Sequence, residues 1–162
     1  MHPTNLFVVM GVSGTGKTTI GKLLAKELYL PFFDGDDFHP EANITKMASG
    51  EPLNDEDRQG WLASLNDLLI SQKEAGAIVA CSALKGAYRS ILAKGIEKEL
   101  HFVFLKGSFE EIKSRMAQRK GHFMPLHLLQ SQFGTLEEPK GAITISIKGT
   151  PEKIVQDILS QL

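Results

Sequence analysis

One short segment near the start of the chain constrains its fold more than any other. Residues 11–18 read Gly-Val-Ser-Gly-Thr-Gly-Lys-Thr, which matches the pattern G-x-x-x-x-G-K-[ST]. A glycine-rich turn can point several backbone N–H groups inward, and the N-terminus of a following helix adds positive potential. The segment therefore predicts a phosphate-binding P-loop, in which Lys17 reaches the β- and γ-phosphates and the Thr18 hydroxyl binds a magnesium ion.

The residues on either side of this loop support that interpretation. Residues 6–10 form an unbroken apolar run, as expected for a strand buried on both faces of a parallel sheet. After the loop, apolar residues recur at helical spacing at Ile20, Leu23, Leu24 and Leu28. Strand, loop and helix thus follow in the order that a P-loop requires. The alternative is an ordinary glycine-rich turn between a strand and a helix.

Composition limits the classes of protein to which the chain can belong. Its 162 residues suit one domain, and 42% hydrophobic with 23% charged residues are globular values. A net charge of −1 gives no general attraction to nucleic acid or to an anionic membrane. A single cysteine, Cys81, favours a reducing compartment, and no signal peptide or membrane-spanning run is evident. We therefore expect one cytoplasmic domain, residues 1–162, without nucleic-acid or membrane partners.

An acidic pair follows the second predicted strand, residues 31–33. Asp34 and Asp36 would face the same side of an extended backbone, at the strand end that borders the ligand crevice of an α/β sheet. The next two predicted strands end in Cys81 and Lys106, so neither supplies the aspartate that usually supports the magnesium ion of a P-loop. Asp34 is the remaining candidate for that role. The alternative is that the aspartates only form a turn and cap a helix.

A long insertion separates the second and third predicted strands, at approximately residues 38–75. Its size exceeds that of a plain connection, and we expect it to cover an acceptor substrate. Within it, Arg58 stands near the start of a predicted helix capped by Asn54. The planar fork of an arginine is suited to hold a carboxylate, although most helical arginines are merely solvated. Ser82 and Lys85 follow the third strand and would also face the crevice.

Basic residues predict a mobile lid at residues 119–139. Arg115 and Arg119 lie four residues apart and share a helix face that leads into the segment Lys-Gly-His-Phe. Positive charge over the γ-phosphate would stabilise phosphoryl transfer and help to exclude water. The alternative is an exposed basic helix end that is favoured by the helix dipole.

The rest of the chain predicts regular α/β structure. Ser108 and Glu111 form a capping box, and Thr150 with Pro151 begins the last helix. The alternating segment 143–147 predicts a last strand near the sheet edge. Strands that alternate with helices predict a parallel β-sheet flanked by helices. Cys81 is interpreted as a small buried residue, since no base partner for a nucleophile is indicated.

Several blocks of the sequence together resemble the gluconokinase family. Besides the P-loop they are residues 34–40, 43–50, 52–58, 81–85 and 119–123, and the resemblance runs from Val9 to about Pro139. The P-loop is shared by many enzymes, but the other blocks in this order are far more specific. The resemblance implies a three-layer P-loop NTPase fold with a lid, similar to shikimate kinase and the nucleoside monophosphate kinases. It also implies transfer of the ATP γ-phosphoryl group to the 6-hydroxyl of D-gluconate, in gluconate utilisation and the pentose phosphate pathway.

The same resemblance implies roles for individual residues, with ATP and Mg²⁺ as cofactors. The implied catalytic residues are Lys17, Asp36 and Arg119. The implied nucleotide-binding residues are Gly11, Val12, Ser13, Gly14, Thr15, Gly16, Lys17, Thr18 and Arg115. The implied substrate contacts are Asp36, His39, Lys46, Arg58, Ser82 and Lys85. Thr18 and Asp34 would hold the metal, Asp34 through water.

Two alternative functions stay open at the level of sequence. One is a related kinase that acts on another sugar acid or on shikimate, although the block 43–58 argues against shikimate. The other is a nucleotide-dependent switch, but a guanine-reading Asn-Lys-x-Asp segment is absent, since no asparagine is followed by lysine. Dimers are common in the family that the chain resembles, while no heptad pattern or apolar stripe in the sequence establishes one.

Overall fold

The computed structural model describes residues 5–118 and 125–162. The predicted lid arginine, Arg119, and the lid residues 120–124 lie outside these ranges. The strands are β1 (Leu6–Met10), β2 (Phe32–Asp34), β3 (Ala77–Ala80), β4 (Leu100–Lys106) and β5 (Ile143–Ser146). The helices are α1 (Lys17–Leu28), α2 (Glu41–Ala48), α3 (Asp55–Ser71), α4 (Gly86–Ala93), α5 (Phe109–Gln118), α6 (Leu126–Thr135) and α7 (Pro151–Leu159), and a 3₁₀ turn covers Gly35–Phe38.

The strands form a parallel sheet in the order β2-β3-β1-β4-β5. Strand β1 lies at its centre, with Leu6 opposite Ala77 of β3 on one side and opposite Leu100 of β4 on the other. All residues of β1 and β3 are buried, which explains their unbroken apolar sequences. Strand β5 lies at an edge and alternates in exposure, as its sequence predicted.

Helices cover the sheet in two groups. Helix α1 packs against α7, and α3 packs against α4. The buried side of α3 carries Trp61, Leu62, Leu65 and Leu69, while α7 contributes Ile154, Val155 and Ile158. The predicted fold class, a three-layer P-loop NTPase fold with a parallel sheet flanked by helices, is confirmed. No helix in the described part of the chain is long and apolar enough to cross a membrane.

The helix starts follow the predicted capping signals. The Asn54 side chain accepts a hydrogen bond from Asp57 N at 2.8 Å, and Asp57 Oδ2 accepts one from Asn54 N at 2.9 Å. Ser108 and Glu111 form the same reciprocal pair, and Thr150 caps α7. Each cap satisfies backbone N–H groups that a helix start leaves without partners. The cap at Asn54 places Arg58 within the first turns of α3.

One expectation about the acidic pair is wrong. Asp34 and Asp36 do not share a side of an extended strand, because the backbone turns into the 3₁₀ helix at Gly35. A tight turn, rather than strand alternation, brings the two carboxylates to the same edge of the sheet.

Candidate active site

A cleft of about 810 Å³ opens at the carboxyl ends of β1, β2 and β3. Parallel α/β sheets bind their ligands at this end of the strands. The structure brings ten of the residues predicted for the site to its wall: Ser13, Gly14, Gly16, Lys17, Thr18, Asp34, Asp36, His39, Arg58 and Ser82. Gly11, Val12 and Thr15 are buried in the loop just beneath it.

The loop at residues 11–18 has the backbone of a phosphate-binding turn. Gly11 has φ +147°, and a Cβ there would lie 2.8 Å from the Leu105 carbonyl oxygen. Gly14 has φ +86°, and its Cβ would lie 2.8 Å from a side-chain carbon of Ile112. Both positions therefore require glycine, for backbone conformation and for space. The Thr15 hydroxyl donates to the Val12 carbonyl at 2.9 Å and closes the turn.

Lys17 lies at the start of α1 and folds back over this loop. Its Nζ donates to the Gly11 carbonyl at 2.9 Å and to the Val12 carbonyl at 3.0 Å. Burial lowers the pKa of Lys17, while the negative charges of Asp36 and Asp34 act in the opposite direction. A polyphosphate in the cleft would add negative charge beside this amine and stabilise its charged form.

Asp34 serves two purposes at the end of β2. Its Oδ1 accepts a hydrogen bond from Asp36 N at 3.0 Å, so it caps the 3₁₀ turn. Its Oδ2 accepts one from the Thr18 hydroxyl at 3.2 Å. Asp34 therefore caps the turn, as the structural alternative predicts, but the contact with the P-loop threonine shows that capping is not its only interaction.

The oxygens of Thr18 and Asp34 fit a magnesium ion in character. Mg²⁺ prefers hard oxygen ligands and is often held by one or two protein groups together with substrate phosphates and water. Within residues 5–118 and 125–162, no three acidic, histidine or cysteine side chains gather into a cluster that could hold a metal by themselves. The pair at the P-loop is therefore a partial site that a nucleotide would complete.

Asp36 presents a carboxylate to the cleft. Its side chain is 82% exposed, and its Oδ1 lies 3.7 Å from His39 Nε2. The interaction with His39 is the largest cause that lowers the pKa of Asp36, and the charge of Lys17 lowers it further, while partial desolvation by the surrounding protein atoms opposes both. The group is therefore an ionised acceptor of hydrogen bonds, facing the end of the P-loop.

Arg58 also lines the cleft, and Tyr88 of α4, which does not line it, holds the guanidinium in place. Its Nη1 donates to the Leu53 carbonyl and, at 3.1 Å, to the Tyr88 hydroxyl, while its guanidinium lies 5.2 Å from the centre of the Tyr88 ring. The Tyr88 hydroxyl in turn donates to Asp55. Among the described residues, these are the hydrogen bonds of Arg58, and they leave Nη2 and Nε to bind an anion.

Lys46 and Lys85, both predicted to contact substrate, do not line the cleft. Lys46 Nζ donates to Asp57 at 2.7 Å, and Lys85 Nζ donates to Asp55 at 3.1 Å. The hydrogen bond that Lys46 donates is the largest cause that lowers the pKa of Asp57, and the one that Lys85 donates to Asp55 is the largest cause that raises the pKa of Lys85. Both lysines therefore hold α3 in place from its first turn, since Asp55 and Asp57 lie there.

The end of β3 contributes Cys81 and Ser82. Ser82 lines the cleft, and its carbonyl accepts a hydrogen bond from Gly11 N at 3.3 Å. Burial raises the pKa of the Cys81 thiol to about 12. The thiol is therefore protonated and a poor nucleophile, in agreement with its interpretation as a buried residue.

Neither of the two arginines predicted to bind the nucleotide, Arg115 and Arg119, is among the described residues that line the cleft. Arg115 is on α5 but does not line the cleft, and its Nη2 donates to the Ile147 carbonyl, just past β5, at 2.9 Å. Arg119 lies outside the described residues. Their predicted contacts with adenine and with phosphate stay predictions.

Sequence reasoning missed Gln132, on α6. Its Oε1 accepts a hydrogen bond from Ser13 N at 2.7 Å, and its Nε2 donates to the Ser13 hydroxyl at 3.1 Å. On the same helix, His127 Nε2 lies 2.7 Å from the Gly50 carbonyl oxygen. Helix α6 thus joins the P-loop to the connection between α2 and α3. A lone glutamine 119 residues from its partner carries no local signal of such a contact.

Comparison with known proteins agrees with this arrangement. A family model described as shikimate kinase matches residues 13–161. The thermosensitive gluconokinase of Escherichia coli (strain K12) is 53% identical over 137 residues, which cover 83% of this chain and 72% of that protein. The thermoresistant gluconokinase of the same strain is 47% identical over 140 residues, or 85% of this chain and 79% of that one.

A solved structure gives the same result in three dimensions. The crystal structure of a gluconokinase from Sinorhizobium meliloti 1021 superimposes with a TM-score of 0.91 at 42% identity, over 98% of this chain and 92% of that one. Identity at this level over nearly the whole chain, with the same fold, shows common descent rather than a shared motif alone. The chain is therefore a P-loop kinase that belongs to the gluconokinase family.

Proposed function

We propose that this kinase phosphorylates D-gluconate at its 6-hydroxyl with ATP, giving 6-phospho-D-gluconate and ADP. The observation that carries the proposal is one cleft that contains the P-loop, an exposed carboxylate, Asp36, and a partly free guanidinium, Arg58. The relatives named gluconokinase support the choice of acceptor. Gluconate carries one carboxylate and several hydroxyl groups, which suits these two side chains.

In the proposed mechanism, each wall of the cleft binds one substrate. The backbone N–H groups of residues 14–18 and the amine of Lys17 bind the β- and γ-phosphates of ATP, since Gly11 N and Ser13 N already donate to Ser82 and Gln132. The free side of the Arg58 guanidinium binds the gluconate carboxylate with two parallel hydrogen bonds. Binding both substrates in one cleft converts an encounter in solution into a reaction between neighbours.

Asp36 orients the acceptor. Its carboxylate accepts a hydrogen bond from the 6-hydroxyl and directs the hydroxyl oxygen at the γ-phosphorus. As the new oxygen–phosphorus bond forms and the bond to the bridging oxygen of ADP breaks, the hydroxyl proton passes to the Asp36 carboxylate. Lys17 stabilises the negative charge that gathers on the phosphoryl oxygens during transfer.

Thr18 and Asp34 would hold Mg²⁺ beside the nucleotide, Asp34 through water. When bound, the ion neutralises charge on the β- and γ-phosphate oxygens. We further propose that Arg115 contacts adenine, that Arg119 closes on the phosphates as part of a lid at residues 119–139, and that Ser82 contacts the acceptor. A cytoplasmic location and a place in the pentose phosphate pathway belong to the same proposal.

The test is steady-state ADP production with Mg²⁺ and ATP, offering D-gluconate, shikimate, other aldonic acids and AMP separately. We expect turnover with D-gluconate, and a loss of kcat of about 10²- to 10⁴-fold in Asp36→Asn. Asp37→Asn is the matched control, because Asp37 is exposed and does not line the cleft. Turnover with another acceptor but not with gluconate would show that the other acceptor is the substrate. Hydrolysis without any acceptor dependence would contradict the kinase mechanism.

A further inference from the structure

His39 lies at the wall of the cleft but exposes almost none of its side chain there. Its side chain is 3% exposed and stacks on Trp61, with ring centres 4.0 Å apart and an angle of 20° between the planes. Trp61 is itself buried, and its Nε1 donates to the Gly35 carbonyl at 2.8 Å. Gly35 lies between Asp34 and Asp36, so the indole supports both the turn that carries the acidic pair and the ring of His39.

The Asn43 side chain determines which nitrogen of His39 carries hydrogen. Asn43 Nδ2 donates to the Asp57 carbonyl at 2.8 Å, and a carbonyl oxygen can only accept, so the amide nitrogen faces it. The same nitrogen lies 3.3 Å from Nδ1 of His39. Its second hydrogen therefore points to a ring nitrogen that must accept. The hydrogen of the neutral imidazole is thus on Nε2.

Nε2 is the nitrogen that faces the catalytic carboxylate. It lies 3.7 Å from Asp36 Oδ1, slightly beyond a hydrogen bond. Hydrogen bonds in active sites are often long without substrate and shorten when the substrate binds. We propose that His39 is a positioning residue, whose Nε2–H holds Oδ1 of Asp36 and leaves Oδ2 to the acceptor hydroxyl.

This inference rests on the proposed function only in the role that it gives to Asp36. It replaces the expectation that His39 contacts the substrate, because the ring is covered by Trp61 and its two nitrogens face Asn43 and Asp36. His39 is also not the proton acceptor of the reaction, since Nε2 already carries a hydrogen. Its effect is to restrict the rotation of an otherwise exposed carboxylate.

The first test reads the tautomer directly. Long-range ¹H–¹⁵N correlation spectra of the ¹⁵N-labelled protein, with His39 assigned by its loss in His39→Gln, separate protonated from unprotonated ring nitrogens. We expect hydrogen on Nε2 in the wild type and a mixture of tautomers in Asn43→Leu. Hydrogen on Nδ1 in the wild type would overturn the proposal. This measurement needs no turnover, so it stands even where the assignment of gluconate fails.

The second test separates positioning from substrate binding and from packing. His39→Gln keeps a nitrogen donor near the place of Nε2, whereas His39→Leu and His39→Asn do not present one to Asp36. We expect kcat to fall on the order of 10- to 100-fold in the Leu and Asn variants, with little change in the KM for either substrate, and much less in the Gln variant. Thermal unfolding of each variant identifies any that fail to fold, and the Gln–Asn pair alone is sufficient.

Two outcomes would contradict the role of His39. Equal losses of kcat in the Gln, Asn and Leu variants would show that any change of the ring disturbs packing. A rise in the KM for gluconate at unchanged kcat would restore His39 as a substrate contact. Absence of gluconate turnover in the wild type would instead refute the proposed function, and the tautomer spectrum would then still decide the arrangement of His39.

Discussion

The two walls of the cleft are built in different ways. In the phosphate wall, residues 11–18, Thr15 and Lys17 bond to carbonyls only three to six positions away, and these local contacts set the form of the loop. Thr18 and Ser13 then connect the formed loop to Asp34 and Gln132.

In the acceptor wall, lined by Asp36, His39 and Arg58, the supporting contacts come from distant positions. Arg58 bonds to Tyr88, 30 residues away, and Asn43, which contacts His39, bonds to Asp57, 14 residues away. A loop whose shape is set by contacts within its own motif adopts the same backbone wherever that motif occurs. A wall made of distant contacts is defined only by the complete fold.

This difference decides which charges are available to a ligand. On the phosphate wall, the Lys17 amine contacts only carbonyls of its own loop within the described residues, so its charge remains to bind phosphate. Around Arg58, two aspartates of the first turn of α3 are already paired: Asp57 with Lys46 and Asp55 with Lys85. Arg58 retains free donors there because Tyr88 and a carbonyl occupy only one of its nitrogens.

After the loss expected for Asp36→Asn, the largest effect is expected from the phosphate wall. Lys17→Met removes the ammonium that would stabilise the transferring phosphoryl group, and we expect kcat to fall about 10²- to 10³-fold. Lys22→Met is the matched control, since Lys22 is exposed on the same helix and does not line the cleft. Steady-state kinetics of both variants with saturating gluconate measure the difference. A loss of less than about tenfold would show that the amine contributes little to phosphoryl transfer.

The next largest effect is expected at Arg58, where it should appear as a higher KM for gluconate. Arg58→Met removes a charged hydrogen-bond donor, worth about 1.5–3 kcal/mol, so the KM for gluconate should rise about 10- to 150-fold. Arg58→Lys keeps the charge but loses the planar fork, and should lie between this variant and the wild type. The KM for ATP is the internal control. An equal rise in both KM values would indicate a disturbed cleft rather than a lost carboxylate contact.

A smaller effect is expected where the two walls are joined. Gln132→Leu removes two neutral hydrogen bonds to Ser13, each worth about 1 kcal/mol, and we expect the KM for ATP to rise about 5- to 30-fold. Gln130→Leu is the control, because Gln130 is exposed on the same helix. Isothermal titration with a nonhydrolysable ATP analogue gives the binding constant directly. Equal affinities in the two variants would show that the Ser13 contact does not support nucleotide binding.

Much of the fold and of the phosphate wall could be predicted from the sequence. Buried parallel strands carry unbroken apolar runs, and the caps at Asn54, Ser108 and Thr150 depend on residues three positions apart. The acceptor wall could be predicted only in part. The long-range pairs of Lys46 and Lys85, the stacking of His39 on Trp61, and the contact of Gln132 with Ser13 all depend on tertiary structure.

Lys46 and Lys85, which pair with aspartates of α3 outside the cleft, test this explanation. Lys46→Met and Lys85→Met leave Asp57 and Asp55 without their partners, so we expect a modest decrease in Tm for both variants. Because neither lysine lines the cleft, kcat and both KM values should stay within about threefold of the wild type. Kinetics and thermal unfolding of the same preparations measure both quantities. A large rise in the KM for gluconate with unchanged Tm would indicate that these lysines contact the substrate.

The smallest effect is expected at Cys81, between the two walls, and it appears only in alkaline solution. Burial raises the pKa of this thiol from 9.0 to about 12, so the folded chain keeps a proton that the unfolded chain loses. Where the unfolded state binds fewer protons, the free energy of unfolding falls as pH rises. The stability that the protonated thiol contributes is fully present below the pKa of the unfolded chain. Above that pKa it decreases by at most about 1.4 kcal/mol per pH unit.

Cys81→Ala has no thiol to ionise, so the wild type should lose stability relative to this variant as pH rises from 9. Urea unfolding of both proteins across that range measures the difference, and parallel curves would show that the thiol ionises as readily in the folded chain as in the unfolded one.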